Sequence, residues 1–366
     1  MKNKKLSRRA ILKLMAAMGG TLAVSPVLKM FAQDATPEAE PNVATADDVA
    51  LTDEEIEMIR QMGISMAFGV NHRTDDFINL TIQGAQEAAE AYGIDLIVTE
   101  ANFDASVQLS QVESFIQQGV TGIFLIAVDG DTLSSAVLQA NEAEIPVVVI
   151  GGPPAEGEIL TLMNSTSYDG CYGSCEFLLS TFDEPGEIGV IHIPLALSTI
   201  VDRENGTRDA ITEAGWELVA FQPVLSQDEA LAAAENMIQA NPNLKAIFAT
   251  WSLAVNGALA AIQSSGLDIK LSGYDAERAG FQQFEDQANG NSPEILLSLA
   301  GQQALVQGKA GIDAFCKAAL GQEVAPDLLV PTILVTGEDY REKWDELYPG
   351  ITAPWAEAEA TATPSA

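Results

Sequence analysis

Residues 63–91, GISMAFGVNHRTDDFINLTIQGAQEAAEA, read as a strand, a polar turn and a helix. Ile64, Met66, Phe68 and Val70 alternate with the period of a strand, and Ile78, Ile82, Ala85, Ala89 and Tyr92 recur along one helical face. Between them lies NHRTDDF, residues 71–77, which carries hydrogen-bonding groups of both kinds and one aromatic ring. In a parallel α/β sheet such a turn stands at the carboxyl ends of the strands, where ligands bind. Asn71, Asp75 and Phe77 are therefore the first candidate site residues.

The same unit recurs along the chain. Strands are expected at 95–99, 121–128, 145–154 and 158–163, with helices at 104–118 and 131–143 between them. Val107, Val112, Phe115 and Ile116 give the first of these helices its apolar side. A polar break at 164–169 separates a second set, with helices at 169–182, 202–214, 227–240, 253–264 and about 277–287. Its strands fall at 187–193, 216–221, 245–250, 268–274 and 294–300, before a long helix at 302–319 and a last strand at 332–336. Strands apolar on both faces that alternate with helices imply parallel sheets covered on both sides. The fold class is α/β, as two Rossmann-like halves with no close sequence repeat between them.

Composition narrows the function. The formal charge is −34, and all seven basic residues before Ala32 lie in an apparent leader. The rest carries 11 Lys and Arg against 52 Asp and Glu, a formal −41. Such a surface repels phosphate backbones and anionic lipid, so nucleic acid and membrane-surface partners are not expected. The start, with Ser7-Arg8-Arg9 and an apolar run ending near Ala32, has the form of an export signal and resembles the twin-arginine motif. Residues 33–53 and 349–366 are rich in Ala, Thr, Pro and Glu and read as a disordered acidic linker and a disordered tail. Cys171 and Cys175 share one helical face, as small buried residues or a poorly placed disulfide pair. His72 and His192 lie near no cysteine and read as bystanders, and no metal site is expected.

Enzyme signatures are absent. No two glycines lie two apart, the only Gly-Lys has Gln303 where a phosphate loop needs glycine, and neither G-x-S-x-G nor H-E-x-x-H occurs. No cofactor is expected. What remains is a set of strand-end turns bearing Gly151, Gly152, Arg203, Trp251, Tyr274, Asp275 and Gln302. Flat aromatic faces for C–H groups, with carboxylates, amides and one guanidinium for hydroxyls, suit a polyol. Asp75 and Asp275 read equally as helix caps. Arg203 is the main cation of the expected cleft, with Arg73 and Arg278 near its edge, which disfavours an anionic ligand.

Five segments in order, DDFINLTIQGAQEAAEAYGIDLIV, NEAEIPVVVI, VDRENGTRDAITEAGWELV, NPNLKAIFATWSLAVNGALAAI and LSGYDAERAGFQQF, resemble periplasmic sugar-binding proteins of the ribose-binding type. Those proteins share their fold with the LacI repressor effector domain. The resemblance covers about residues 62–337 and implies a sugar cleft between two lobes joined by a three-crossover hinge. The lobes would be 54–165 plus 303–331 and 166–302 plus 332–348. It places Asp75 at a sugar-binding Asn, Phe77 at a stacking Phe, Arg203 at a sugar-binding Arg and Asp275 at the Asp of a G-[FY]-D turn. Trp251 replaces a common Asn or its neighbour, and Gln302 matches a Gln near a hinge strand. Gly151-Gly152 stands where ribose-binding members carry Asp-Arg, which leaves room for a ligand larger than a pentose. The implied function is a monomeric, exported solute-binding protein that delivers a neutral sugar or polyol to an ABC transporter permease. A receptor-associated sugar sensor and an exported carbohydrate-active enzyme using the same cleft are the alternatives.

Overall fold

The computed structural model describes residues 44–195 and 197–356. The leader with its arginine pair, most of the acidic linker and the last ten residues lie outside that range.

Two six-stranded sheets form the centres of two α/β lobes. The first has the order β11-β5-β4-β3-β1-β2, built from β1 (Ser65–Val70), β2 (Asp95–Glu100), β3 (Gly122–Ile126), β4 (Val147–Ile150), β5 (Thr161–Ser165) and β11 (Asp327–Val330). All its pairings are parallel. The second runs β12-β10-β9-β8-β6-β7, from β6 (Glu187–His192), β7 (Glu217–Pro223), β8 (Leu244–Ala249), β9 (Lys270–Tyr274), β10 (Leu296–Gly301) and β12 (Ile333–Thr336). Here only β12 is antiparallel to its neighbour.

Helices cover both faces of each sheet. On the first lobe α1 (Asp53–Met62), α2 (Asp76–Tyr92) and α10 (Ala304–Ala319) pack on one side, and α3 (Ala105–Gln118) and α4 (Gly130–Glu142) on the other. On the second, α5 (Ser167–Ser180) and α6 (Ser198–Glu213) face α7 (Gln227–Ala240), α8 (Ser252–Ser265) and α9 (Arg278–Ala288) across the sheet. The last helix, α11 (Tyr340–Leu347), joins the α7–α9 side. Helices α1, α2 and α3 each start at a side-chain cap and stop at a left-handed glycine. In α2, the Asp75 carboxylate accepts from Ile78 N–H at 2.9 Å, and Gly93 closes the helix in the left-handed region at φ 71°.

The chain crosses between sheets after β5, after β10 and between β11 and β12. These three crossings are tied together. Thr332 N–H donates to Thr166 Oγ1 at 2.9 Å, and Gln303 Nε2–H donates to the Pro331 carbonyl at 2.8 Å.

Several expectations are corrected. The linker is ordered from residue 44: Leu329 N–H donates to the Ala44 carbonyl at 2.8 Å, Thr45 bridges the same strand, and Val49 is buried. Composition could not reveal that β11 is an edge open to pairing. The tail is likewise ordered through Ala356, because Trp344 Nε1–H holds the Ile351 carbonyl at 2.9 Å and Trp355 packs edge-on to Trp344 and Tyr340. In α3 the buried face includes Gln108, whose side-chain amide bridges Ile126 and Val128 backbone groups, while Val107 is exposed. Helix α6 begins four residues earlier than 202. Strand β11 and helices α1 and α11 had no counterpart in the periodicity. Cys171 and Cys175 are free and buried, packing α5 against its sheet.

Helices α2 and α10 meet backbone to backbone. A Cβ on Gly84 would overlap the Leu305 carbonyl, and one on Gly308 would overlap that of Thr81. Gly84→Ala should lower the unfolding free energy by about 1–3 kcal/mol through overpacking, read from urea denaturation. An unchanged midpoint and slope would show that the helices do not approach so closely.

Candidate functional site

The carboxyl ends of both sheets face one another across a cavity of about 90 Å³. The first lobe contributes Asn71, His72, Asp75, Phe77 and Ile78 from the β1–α2 turn, Phe103 from the β2–α3 turn, and Gly151 after β4. From the second lobe come Leu195, Leu197, Thr199 and Arg203 around the start of α6, Trp251 before α8, Asp275 before α9 and Gln302 after β10. Asn71, Asp75, Phe77, Gly151, Arg203, Trp251, Asp275 and Gln302, eight of the ten candidates, therefore stand on one wall or another of it.

Tyr274 and Gly152 do not. Tyr274 is fully buried beneath the site: the Arg203 guanidinium lies 3.9 Å from its ring centroid, and its hydroxyl is 3.3 Å from both Ser165 Oγ and Ser167 Oγ. Tyr274 is the last residue of β9 and packs on the α5 face of the sheet, whereas Asp275 follows the strand in a left-handed turn that aims its carboxylate at the cavity. Gly152, at φ 139°, is a close approach between lobes, since a Cβ there would stand 2.6 Å from Ser198 Oγ. Its neighbour also touches the second lobe, with Thr199 Oγ1–H donating to the Gly151 carbonyl at 2.9 Å. The space expected from this Gly-Gly turn is thus partly filled by the start of α6.

The polar wall is organised around Arg203, which is 8% exposed. Its Nη1–H donates to the Thr250 carbonyl at 3.1 Å and lies 3.4 Å from Asp275 Oδ2. Gln302 Nε2–H holds the other oxygen, Asp275 Oδ1, at 2.8 Å. Asp275 adopts φ 68°, a left-handed turn that Asp tolerates better than most residues. Three polar atoms of cavity residues are buried without a protein partner: Arg203 Nε, Trp251 Nε1 and Gln307 Oε1. Buried polar groups are nearly always satisfied, so such a cluster calls for a ligand or ordered water.

Asp75 caps α2 and also lines the cavity. One oxygen caps α2, and the other stands 3.4 Å from His72 Nε2. Burial pushes its pKa up to about 7, against the pull of the Ile78 N–H and with the Asp275 charge adding to the rise. His72, set aside as a bystander on sequence grounds, belongs to the cavity. Its Nδ1 accepts from Thr74 N–H at 3.2 Å, which assigns the ring proton to Nε2, facing Asp75. The ring stacks on Phe103 at 4.4 Å. Phe103 and Asn102 both have positive φ, 60° and 52°, a rare conformation for a bulky residue that turns the β2–α3 connection. His192 pairs with Glu204 at 2.7 Å and lines no part of the cavity. His72 and Phe103 had one signal in the sequence: both lie in turns that follow a strand.

Two parallel α/β lobes, hinged by three crossings and enclosing a polar cavity at their strand ends, define a two-lobed solute-binding protein. The chain belongs to the family described as the periplasmic binding protein domain, whose model matches residues 66–323. It is 28% identical over 261 residues to the ribose import binding protein of Bacillus subtilis, spanning 71% of this chain and 83% of that one. It is 24% identical over 255 residues to the xylitol-binding protein of Mycolicibacterium smegmatis, spanning 69% and 71%. The fold is shared with an ABC transporter solute-binding protein of Bacillus halodurans C-125 with bound myo-inositol, at TM-score 0.70 and 24% identity over 78% of this chain and 98% of that one. A solute-binding protein of Actinobacillus succinogenes 130z with bound D-allose gives TM-score 0.70 at 21% identity, covering 76% and 99%.

Burial holds the His72 pKa down to about 4 from an ordinary 6.5. Because the unfolded chain binds this proton first, His72 removes stability as pH falls from about 6.5 toward 4. An NMR titration should find its ring neutral at pH 5.5, and a midpoint near 6.5 would contradict the burial of the ring.

Proposed function

We propose that this protein captures one uncharged sugar or cyclic polyol between its lobes and presents it to an ABC transporter permease, with no catalytic step. The observation that carries this is the mixed character of the unpartnered polar wall. Arg203 Nε and Trp251 Nε1 lack acceptors, while Gln307 Oε1 lacks a donor. Hydroxyl groups donate and accept at once, so a polyol answers all three where a purely anionic or cationic ligand does not. Ile126, Ile150, Met163, Leu195, Phe77 and Trp251 supply the apolar surface that the C–H faces of a ring need.

Size and charge agree with this reading. At about 10–15 Å³ per water-sized position, the 90 Å³ cavity takes roughly six to nine such positions, the scale of one sugar ring. Asp75 and Asp76 at the start of α2 disfavour an anion there. The named ligands of the relatives and structural neighbours are ribose, xylitol, myo-inositol and D-allose, all of the same chemistry. Asn71, Asp75, Phe77, Gly151, Arg203, Trp251, Asp275 and Gln302 form the contact set in this proposal, with His72 and Phe103 added. Export by the twin-arginine route, action as a monomer outside the cytoplasmic membrane and the absence of turnover belong to the same reading.

A thermal-shift screen of neutral monosaccharides, cyclic polyols and sugar phosphates tests it. At a hundredfold excess over Kd a bound ligand adds about 2.7 kcal/mol to stability and raises the melting temperature. A neutral sugar recovered unchanged is expected. Turnover of that sugar, or tighter binding of its phosphate, would contradict the proposal. Calorimetry on Trp251→Ala should show a loss of about 1–3 kcal/mol in binding that sugar, the cost of an unmade buried contact. Unchanged affinity would move the site elsewhere.

A further inference from the structure

Two helices, one from each lobe, start opposite each other at the edge of the cavity. Helix α9 has no side-chain cap from its own N-cap residue, Glu277. Its first amide, Arg278 N–H, donates instead to Asp76 Oδ2 of the other lobe at 3.1 Å. The exchange is reciprocal: Asp76 N–H, the first amide of α2, donates to Glu277 Oε1 at 3.0 Å. Asp75 already caps α2 from within at Ile78, so the Asp76–Glu277 pair is additional to the ordinary cap. Each of these two hydrogen bonds joins residues about two hundred positions apart in the chain and exists only while the lobes are together.

The charges around this exchange are unequal. Glu277 is faced by Asp75 and Asp76 from α2, by Asp275 from its own turn and by the Tyr348 hydroxyl side from the end of α11. The nearby cations are Arg278 and Arg203, and Arg203 is engaged by Asp275 and the Thr250 carbonyl. Bringing the lobes together therefore gathers carboxylates with too few cations to balance them, and a proton is the simplest compensation.

We propose that Asp76 and Glu277 form a proton-linked latch across the cleft, so that lobe closure is favoured as the surroundings become acidic. The latch regulates the site proposed above and rests on the reading of that cleft as one that closes. Burial, with Asp75, Asp275 and Asp76 around it, pushes the Glu277 pKa up to about 9 in the closed form. In an open form its carboxyl is hydrated and ordinary. The raised value means the closed form holds a proton that the open form has released. The advantage of closure is whole below the ordinary carboxylate range and is lost as pH rises toward about 9.

The experiment uses the unliganded full chain with spin labels on cysteines introduced at Ser114 of α3 and Asn236 of α7, both exposed, while the native cysteines are buried. Distances between labels are measured by pulsed electron resonance from pH 5.5 to 9. One distance is expected at pH 5.5, with a second population growing up to about tenfold per pH unit as one proton is released. Glu277→Gln, which keeps an acceptor but cannot ionise, should show a much weaker growth of the second population with pH, what remains being the proton of Asp75. Asp76→Ala should show the second population already at pH 5.5. A wild-type distribution that ignores pH, or a Glu277→Gln variant with the wild-type pH response, overturns the latch. No sugar is present in this measurement, so that failure would leave the ligand reading standing, and a failed sugar screen would leave the latch standing.

Discussion

The site depends on one guanidinium held almost wholly out of water. Leaving such a charge unpaired in a protein interior costs several kcal/mol, so its surroundings must answer it. Arg203 is met by the Asp275 carboxylate, the Thr250 carbonyl and the face of Tyr274. The carbonyl follows β8, while the ring and the carboxylate both stand at the end of β9. Asp275 is in turn fixed by its left-handed turn and by Gln302, which stands where the chain passes from one lobe to the other. One buried charge thus sets the register of the polar wall and couples it to the hinge. What the protein leaves unmade, the Nε of the same guanidinium, is what a hydroxyl can complete.

The two lobes divide the work. The second lobe carries the guanidinium and the indole, and the first carries Asp75, His72 and Phe103 on turns after β1 and β2. Neither half encloses the cavity alone. Contacts between the lobes are polar at the helix starts and close at Gly152, where a side chain would collide with α6. Polar contacts of this kind give up little free energy when exchanged for water, which suits surfaces that must part and meet again.

Much of this was legible in the chain because its signals are local. The period-2 run of β1, the helical face of α2 and the helix at α7 are each read from one short contiguous stretch, and their boundaries follow. Strand β11 escaped because Asp327–Val330 is only four residues long and has no periodic flank of its own. Helix α1 escaped beside a polar linker for a related reason: it is held by Lys317, whose ammonium meets Glu55 at 2.8 Å from 262 positions away. In the site, strand-end position identified which turns face the cavity but not which of two adjacent residues does. Tyr274 and Asp275 illustrate that limit, as the end of β9 leaves the ring on the α5 side and the left-handed turn after it brings the carboxylate to the cavity. The Asp76–Glu277 exchange had no local signal at all, because its partners meet only when the lobes do.

The account turns on whether the unpaired groups of the cavity are completed by a neutral ligand. A crystal structure of the protein with the sugar that stabilises it most tests this directly. One ring should lie between the lobes, with hydroxyl oxygens within about 3.2 Å of Arg203 Nε and Trp251 Nε1. A ligand bound outside this cavity, or a ring inside it that leaves both of those atoms without a partner, would contradict the account.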